Sequence, residues 1–432
     1  MASLPQSLVV NFNSPELGQL AHALAARGAL TRYVRPYANK DRAWERALAA
    51  LPLVGQAYAS TFGRRRIEDP ALAALTTEAG VAADVGAAAL GRLRLLPIEF
   101  RARHCHRLQE SVRLAVARAA AGLAGAADCA VAYVGCGLPA FEALRVRGAT
   151  RAVLNYPIAH HRYHRALQRE EHALDPELAV TWPTLAEWPA AYERQIDAEI
   201  EMADCILVGS TYVRDTFVSE HVPAAKISIA PYGVDLRTFA PALESAPRSK
   251  APFRAIFVGQ LSQRKGIRYL LNAYRAFRKP DSQLTLVGNV IGTDAPLRRY
   301  ADLFQHVPHQ TRPALAQRYR ESDVFVFPTL LEGMPLVVLE AMACGLPVIV
   351  TPNGPGDIVR DGVDGFIVPP RDEHAIRDRL ERLYADPELR AEMGRNASER
   401  AREFTWVAYA QRVLDVLATF ADARPAPHAV SR

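Results

Sequence analysis

Residues 324–352 read VFVFPTLLEGMPLVVLEAMACGLPVIVTP. The run VFVF is followed by a loop, by LVVLEAMAC, by a glycine, and by a second apolar run, PVIV. Short apolar runs rich in β-branched residues and bounded by Gly and Pro are strands of a parallel sheet, covered on both faces. Pro335 suits the first helical turn, where its missing N–H leaves no partner unsatisfied, and Gly345 suits the left-handed residue after the last turn. The stretch is therefore strand, loop, helix, strand.

The same alternation runs outward in both directions. Strands are predicted at 8–12, 130–134, 152–156, 205–208 and 226–230, then at 254–258, 283–287, 324–327, 347–350 and 365–368, with helical stretches such as 266–278 and 336–344 between them. Strands alternating with helices give an α/β chain of two doubly wound, Rossmann-like domains. Their boundary is expected in 239–252, FAPALESAPRSKAP, which carries Pro241, Pro247 and Pro252 and no apolar periodicity. The predicted parts are a first domain at 1–240, a second domain at 252–404, a final helix at 405–420, and a tail at 421–432.

Composition narrows the function. Of 432 residues, 50% are hydrophobic and 23% charged, which is globular rather than disordered composition. The net charge of +6 is spread evenly, 28 basic against 25 acidic residues in 1–250 and 24 against 21 beyond, so a nucleic-acid module is not expected. Five cysteines, odd in number and without CxxC or Cys/His zinc spacing, argue against a disulfide framework and a structural metal. With no basic-then-apolar leader and no long uninterrupted apolar run, the expectation is a cytoplasmic protein, at most peripheral to a membrane.

Ligands of open α/β sheets bind where a strand's carboxyl end meets a helix N-terminus, whose free N–H groups favour phosphate. The loop 329–334 is such a place. Glu332 precedes the helix and Glu340 lies in it, eight residues on. At about 1.5 Å rise per residue they lie up to ~12 Å apart, and each carboxylate can accept from two vicinal hydroxyls.

Three stretches of the second half, FVGQLSQRKGIRYLLNAY (257–274), DVFVFPTLLEGMPLVVLEAMACGLPVIVT (323–351) and NGPGDIVRDGVDGFIVPPRD (353–372), resemble the retaining nucleotide-sugar glycosyltransferases of the GT-B fold, the family usually numbered four. In the first half only ADCILVGSTYVRDTF (203–217) and ISIAPYGVD (227–235) are similar. The resemblance implies two domains facing across a cleft, a final helix at 405–420 that crosses back to the first domain, a nucleotide-diphosphate sugar held by the second domain, and no metal or cofactor. It further implies an acceptor hydroxyl, on a glycan, a lipid-linked molecule or a small molecule, held by the first domain, as in lipopolysaccharide or exopolysaccharide synthesis.

Residue by residue, the resemblance places Glu332 on the sugar hydroxyls, Glu340 on the ribose and Lys265 on the diphosphate. Gly259, Gln260 and Arg264 belong to the same loop as Lys265. Thr329 and the backbone around Gly333, Met334, Pro335 and Leu336 meet the phosphates. Glu332 and Lys265 are expected to face a solvent cleft rather than the core. Gln260 departs from the Arg of many members, and Pro335 from a common Gly, which removes one cation and one N–H donor; Arg264 is the available replacement cation.

In TRAVLNYPIAHHRYHRALQREE (150–171), His160 fits the family's active-site His, which contacts the transferred sugar, and His161 is the next choice. Without the resemblance, His160, His161 and His164 read as a polar helix face or an adventitious metal site. The 160/164 pair lacks the Glu of HExxH, so catalytic zinc is not expected. Ser14 is predicted to cap the first helix, with Pro15 at its first position, and Asn13 and Ser14 line the acceptor side.

Residues 91–118 hold seven Arg against Glu99 and Glu110. Ile98, Ala102, Cys105, Leu108, Val112 and Ala115 fall at helical spacing, with Arg101, Arg103, Arg107 and Arg118 largely elsewhere on the helix. Either a solvated face or a contact with an anionic membrane follows. The rival functions are a non-catalytic nucleotide-sugar-binding subunit and an epimerase or hydrolase on the same fold.

Overall fold

The structure is a computed structural model that describes residues 4–421, apart from 53–54, 56–57, 59–60, 94–97, 147–150, 183–188 and 243–251. Most of the expected boundary segment and nearly all of the tail lie outside the described residues.

Seven strands form the first sheet, in the order β3-β2-β1-β4-β5-β6-β7. They are β1 Ser7–Val10, β2 Leu30–Arg35, β3 Thr76–Glu78, β4 Cys129–Tyr133, β5 Arg151–Asn155, β6 Cys205–Val208 and β7 Ile227–Ile229. The second sheet has six, in the order β10-β9-β8-β11-β12-β13: β8 Phe253–Val258, β9 Ser282–Val287, β10 Phe304–Val307, β11 Val324–Phe327, β12 Val348–Val350 and β13 Gly365–Ile367. Every neighbouring pair of the second sheet runs parallel.

Both sheets are doubly wound, as expected, and reverse their strand order once, between β1 and β4 and between β8 and β11. At such a switch point successive connections leave towards opposite faces, so the loops at the carboxyl ends part and open a crevice. In the second sheet those loops are 259–266 and 328–335, the stretches singled out from sequence. The flanking strands cannot shift register easily, because β11 is wholly buried, with Phe325 opposite Ile256 on one side and Val348 on the other.

The predicted strands appear within a residue or two of their expected ends, whereas β2, β3 and β10 were not anticipated. Strands β3 and β10 are sheet edges, where one side needs no cover and polar residues persist. In β2, LTRYVR, Arg32 and Arg35 break the apolar run. Arg35 is buried nonetheless, its guanidinium 5.6 Å from the Tyr33 ring centre.

The compact units do not divide at 240–252. One comprises Met1–Tyr156, Trp188–Leu207 and the chain from Ala410; the other comprises Pro157–Glu187 and Val208–Tyr409. The histidine segment therefore groups with the second unit, and its hydrogen bonds explain why: Glu171 accepts from Gln263 and Tyr269, and the Gln263 N–H donates to Thr181. Helix Trp406–Ala421 has its first turn in the second unit and the remainder in the first.

Candidate functional site

The loops after β8 and β11 are laced together. After β8 the chain passes Gly259 and Gln260, makes one 3-10 turn at Gln263–Lys265, and enters the helix Ile267–Phe277. Gly266 has φ 70°, and a Cβ on it would lie 1.9 Å from the Pro328 carbonyl oxygen, so only glycine lets this turn meet the β11 loop. The Leu330 N–H donates to the Arg264 carbonyl at 2.9 Å, and the Thr329 hydroxyl donates to the same oxygen at 3.2 Å. Thr329 is fully buried, and its hydroxyl braces the Arg264 carbonyl.

Glu332 is the centre of the site. One of its oxygens accepts from both Arg264 Nη1 and Lys265 Nζ. Arg264 Nη1 also donates to the Leu331 carbonyl at 2.8 Å, and Lys265 Nζ lies 5.0 Å from the Phe327 ring centre. The side chains of Lys265 and Glu332 are only 10% and 14% exposed, so the expected open solvent cleft is not what surrounds them. Burial, then the adjacent Arg264, push the Lys265 amine down to about 8, against the pull of Glu332. Burial raises the Glu332 carboxyl, but Arg264 and Lys265 more than offset it and hold it below its ordinary value. Two cations and one anion leave one net positive charge in a nearly dry place, the condition for firm anion binding. Gln260, by contrast, is exposed.

The titration of Lys265 has a measurable consequence. An anionic diphosphate favours the charged amine, so its affinity should fall as pH rises through about 8, with proton uptake on binding in that range. Calorimetry in buffers of different ionisation heat reads both. The variant Lys265→Arg should hold its affinity at higher pH, and an affinity independent of pH across about 7 to 9.5 would contradict the assignment.

The helix Leu336–Ala343 begins after Pro335, which is the extended cap residue rather than part of the first turn. The approach to it is fixed at consecutive residues. A Cβ on Gly333 would lie 1.7 Å from the Pro157 carbonyl oxygen, the Gly333 carbonyl accepts from Ser210 Oγ at 2.6 Å, and the Met334 sulfur accepts from the Tyr232 N–H at 2.8 Å. Glu340 is 8% exposed, with Arg312 Nη2 at 3.9 Å from its carboxylate and 3.8 Å from that of Asp235. Arg312 was not singled out from sequence, since a lone Arg at the start of the helix Arg312–Arg320 carries no motif. Asp235 closes the familial ISIAPYGVD, which was the available signal.

The histidines part company. His160 is the N-cap of helix His161–Leu174: its Nδ1 accepts from the Arg162 N–H at 3.3 Å, and its own N–H donates to Thr216 Oγ1 at 3.0 Å. It is 1% exposed, and burial pushes it down to about 3, which keeps it neutral. The structure therefore gives His160 a capping place, and His161 is buried beside it with ring centres 4.4 Å apart. His164 is the histidine coupled to the site: Trp182 Nε1 donates to its Nε2 at 3.1 Å, and burial, then the charge of Arg264, bring it to about 4, with Glu332 opposing. At neutral pH it is an uncharged hydrogen-bonding group.

In the first unit, Asn13 has φ 64° and its Oδ1 accepts from Arg35 at 3.4 Å. Ser14 occupies the predicted cap position, but its hydroxyl makes no cap bond. Asn11 does the local fixing, its Oδ1 accepting from the Ser14 N–H at 2.7 Å and its Nδ2 donating to the Ser14 carbonyl at 2.8 Å. Among the described residues no group of three or more His, Cys, Asp or Glu is arranged to hold a metal ion, and no helix is long and apolar enough to cross a membrane.

This architecture is the GT-B fold. Sucrose-phosphate synthase from Thermosynechococcus elongatus matches 95% of this chain with 97% of its own, at a TM-score of 0.64 and 22% identity. The Anabaena HepE structure in complex with UDP-glucose matches 96% with 100% of its own, at 0.61 and 15%. Residues 252–386, within the second unit, match the family of glycosyl transferases group 1. D-inositol 3-phosphate glycosyltransferase of Paenarthrobacter aurescens is 34% identical over 198 residues, 42% of this chain and 48% of that protein. The same enzyme of Nocardiopsis dassonvillei is 31% identical over 268 residues, 56% and 62% of the two chains. The chain thus spans about half the length of the curated relatives it matches.

Proposed function

We propose that this chain is a glycosyltransferase that moves a sugar from a nucleotide-diphosphate sugar to an acceptor hydroxyl, with retention and without a metal. The observation that carries the reading is the buried Arg264–Lys265–Glu332 cluster at the switch point, next to a helix N-terminus. Arg264, Lys265 and the first N–H groups of the helix would stabilise negative charge growing on the departing diphosphate. Glu332 would accept from sugar hydroxyls and Glu340 from ribose hydroxyls. No carboxylate is assigned as a nucleophile, so the acceptor oxygen attacks the face that the diphosphate leaves. The anomeric C–O bond to phosphate breaks, the new C–O bond forms, and the acceptor proton passes to the departing phosphate oxygen.

His164, neutral and tethered by Trp182, would orient rather than exchange protons. The acceptor, a glycan, a lipid-linked molecule or a small molecule, is assigned to the first unit, with Asn13 and Ser14 as liners. A cytoplasmic setting fits five cysteines without a disulfide pattern.

A thermal-shift panel of UDP, GDP, ADP and their sugars tests the reading, because a ligand held only by the native state raises the melting temperature. Donor-dependent product on an added acceptor then establishes transfer. Sugar released without acceptor would make the chain a hydrolase, and binding without turnover a binding subunit. A panel with no shift would overturn the nucleotide site.

The basic stretch is read as a solvated face. Helix Ile98–Leu123 exposes Arg103, Arg107 and Arg118, but Arg113 is buried, bonded to Glu110, Gln195 and the Gly135 carbonyl. The protein should therefore stay in the supernatant with anionic liposomes at about 0.15 M salt. Sedimentation that is lost on changing Arg101, Arg103 and Arg107 to Gln would establish the membrane contact instead.

A further inference from the structure

Glu171 lies on helix His161–Leu174 and is 0% exposed. A carboxylate so placed persists only when its lone pairs are filled, and here three elements fill them. Gln263 Nε2 donates to it at 2.7 Å, the Tyr269 hydroxyl at 3.0 Å and Arg371 Nε at 2.5 Å. Tyr269 belongs to the helix that follows the cation turn, and burial, then the Glu171 charge, raise its hydroxyl, so it acts as the donor. Arg371 follows β13, has φ 68°, and also pairs with Glu170 at 2.9 Å.

Gln263 is the point of the arrangement, because it directly precedes Arg264 and Lys265 and is itself 0% exposed. Its backbone N–H donates to Thr181 Oγ1 at 2.9 Å, and its side-chain oxygen accepts from the Arg268 N–H at 3.3 Å. The segment 161–182 thus holds Gln263 by main chain and side chain together. A three-residue 3-10 turn has few internal bonds to fix its own geometry. The direction in which Arg264 and Lys265 point is therefore set from outside the turn.

We propose that Glu171 is a positioning residue, which acts through Gln263 to aim the Arg264–Lys265 pair at the diphosphate; this rests on the nucleotide reading of the site. Its buried charge is balanced by Arg371, so the tie is strong without adding charge to the site.

The test uses the full chain and three probe pairs: UDP with uridine, GDP with guanosine, ADP with adenosine. For the pair that binds, the ratio of nucleoside to diphosphate dissociation constants measures what the cations contribute. In Glu171→Gln this ratio should shrink about tenfold while nucleoside affinity changes less than about twofold, because the base and ribose contacts are left in place. Gln263→Met keeps the volume and leaves Glu171 with Tyr269 and Arg371, so it should fold and shrink the ratio in the same way. Glu171→Asp should restore part of it if Glu171→Gln folds. A wild-type chain that binds none of the three diphosphates overturns the nucleotide reading and this inference with it. Wild-type binding with an unchanged ratio in Gln263→Met overturns the positioning role alone, as does a parallel loss of nucleoside and diphosphate affinity.

Discussion

Glu332→Gln and Lys265→Ala should each lower turnover about 30- to 1000-fold, the equivalent of ~2 to 4 kcal/mol of barrier. The two losses differ in kind. Lys265→Ala removes a cation from the leaving group and leaves the Arg264–Glu332 pair intact, so the fold should tolerate it and Lys265→Arg should recover part of the rate. Glu332→Gln removes the anion that pairs with both cations. Lys265, already lowered to about 8, should then lose its proton at lower pH still, and the alkaline limb of the rate profile should move down. Initial rates across pH with the donor found by thermal shift, beside melting curves of each variant, separate lost chemistry from lost stability. Wild-type rates in both variants would refute the site.

The fold was legible because parallel strands buried on both faces leave uninterrupted apolar runs, and β11, VFVF, is the clearest of them. Strands that are not so covered leave weaker traces: β3 reads TTE and β10 reads FQHV, and both are edges. The second-unit site was legible at the level of which residues meet. Arg264, Lys265 and Glu332 do come together, because the order of strands in a doubly wound sheet brings the loops after β8 and β11 side by side. Their burial was not legible, since it depends on how closely Gly266 and Gly333 let the backbone approach Pro328 and Pro157. Nor was the choice among histidines: His160, His161 and His164 share one sequence context, and only the Trp182 indole and the cap geometry tell them apart. Residues 157–182 pack within the second unit through polar residues such as Glu171 and Thr181, on stretches that the strand-helix rhythm does not distinguish.

Glu340→Ala should weaken nucleoside diphosphate and nucleotide-sugar alike, by about 10- to 100-fold, since a lost charged hydrogen-bonding partner costs ~1.5 to 3 kcal/mol. Glu332→Gln should behave differently, and the structure supplies the reason. The Glu332 carboxylate already occupies Arg264 and Lys265 and stands where a phosphate oxygen would compete for the same N–H groups. A diphosphate that enters must take those cations over, and the freed carboxylate is then available to sugar hydroxyls. Replacing it by the amide removes the competitor and the sugar contact together. Nucleoside diphosphate should therefore bind Glu332→Gln at least as tightly as wild type at a pH low enough for Lys265 to keep its proton in that variant, well below the wild-type value of about 8. The extra affinity of the nucleotide-sugar over the diphosphate should vanish in the same variant. Calorimetry with both ligands on wild type and both variants decides it: a loss of diphosphate affinity in Glu332→Gln as large as the loss for the nucleotide-sugar would mean that Glu332 neither competes for the cations nor distinguishes the sugar.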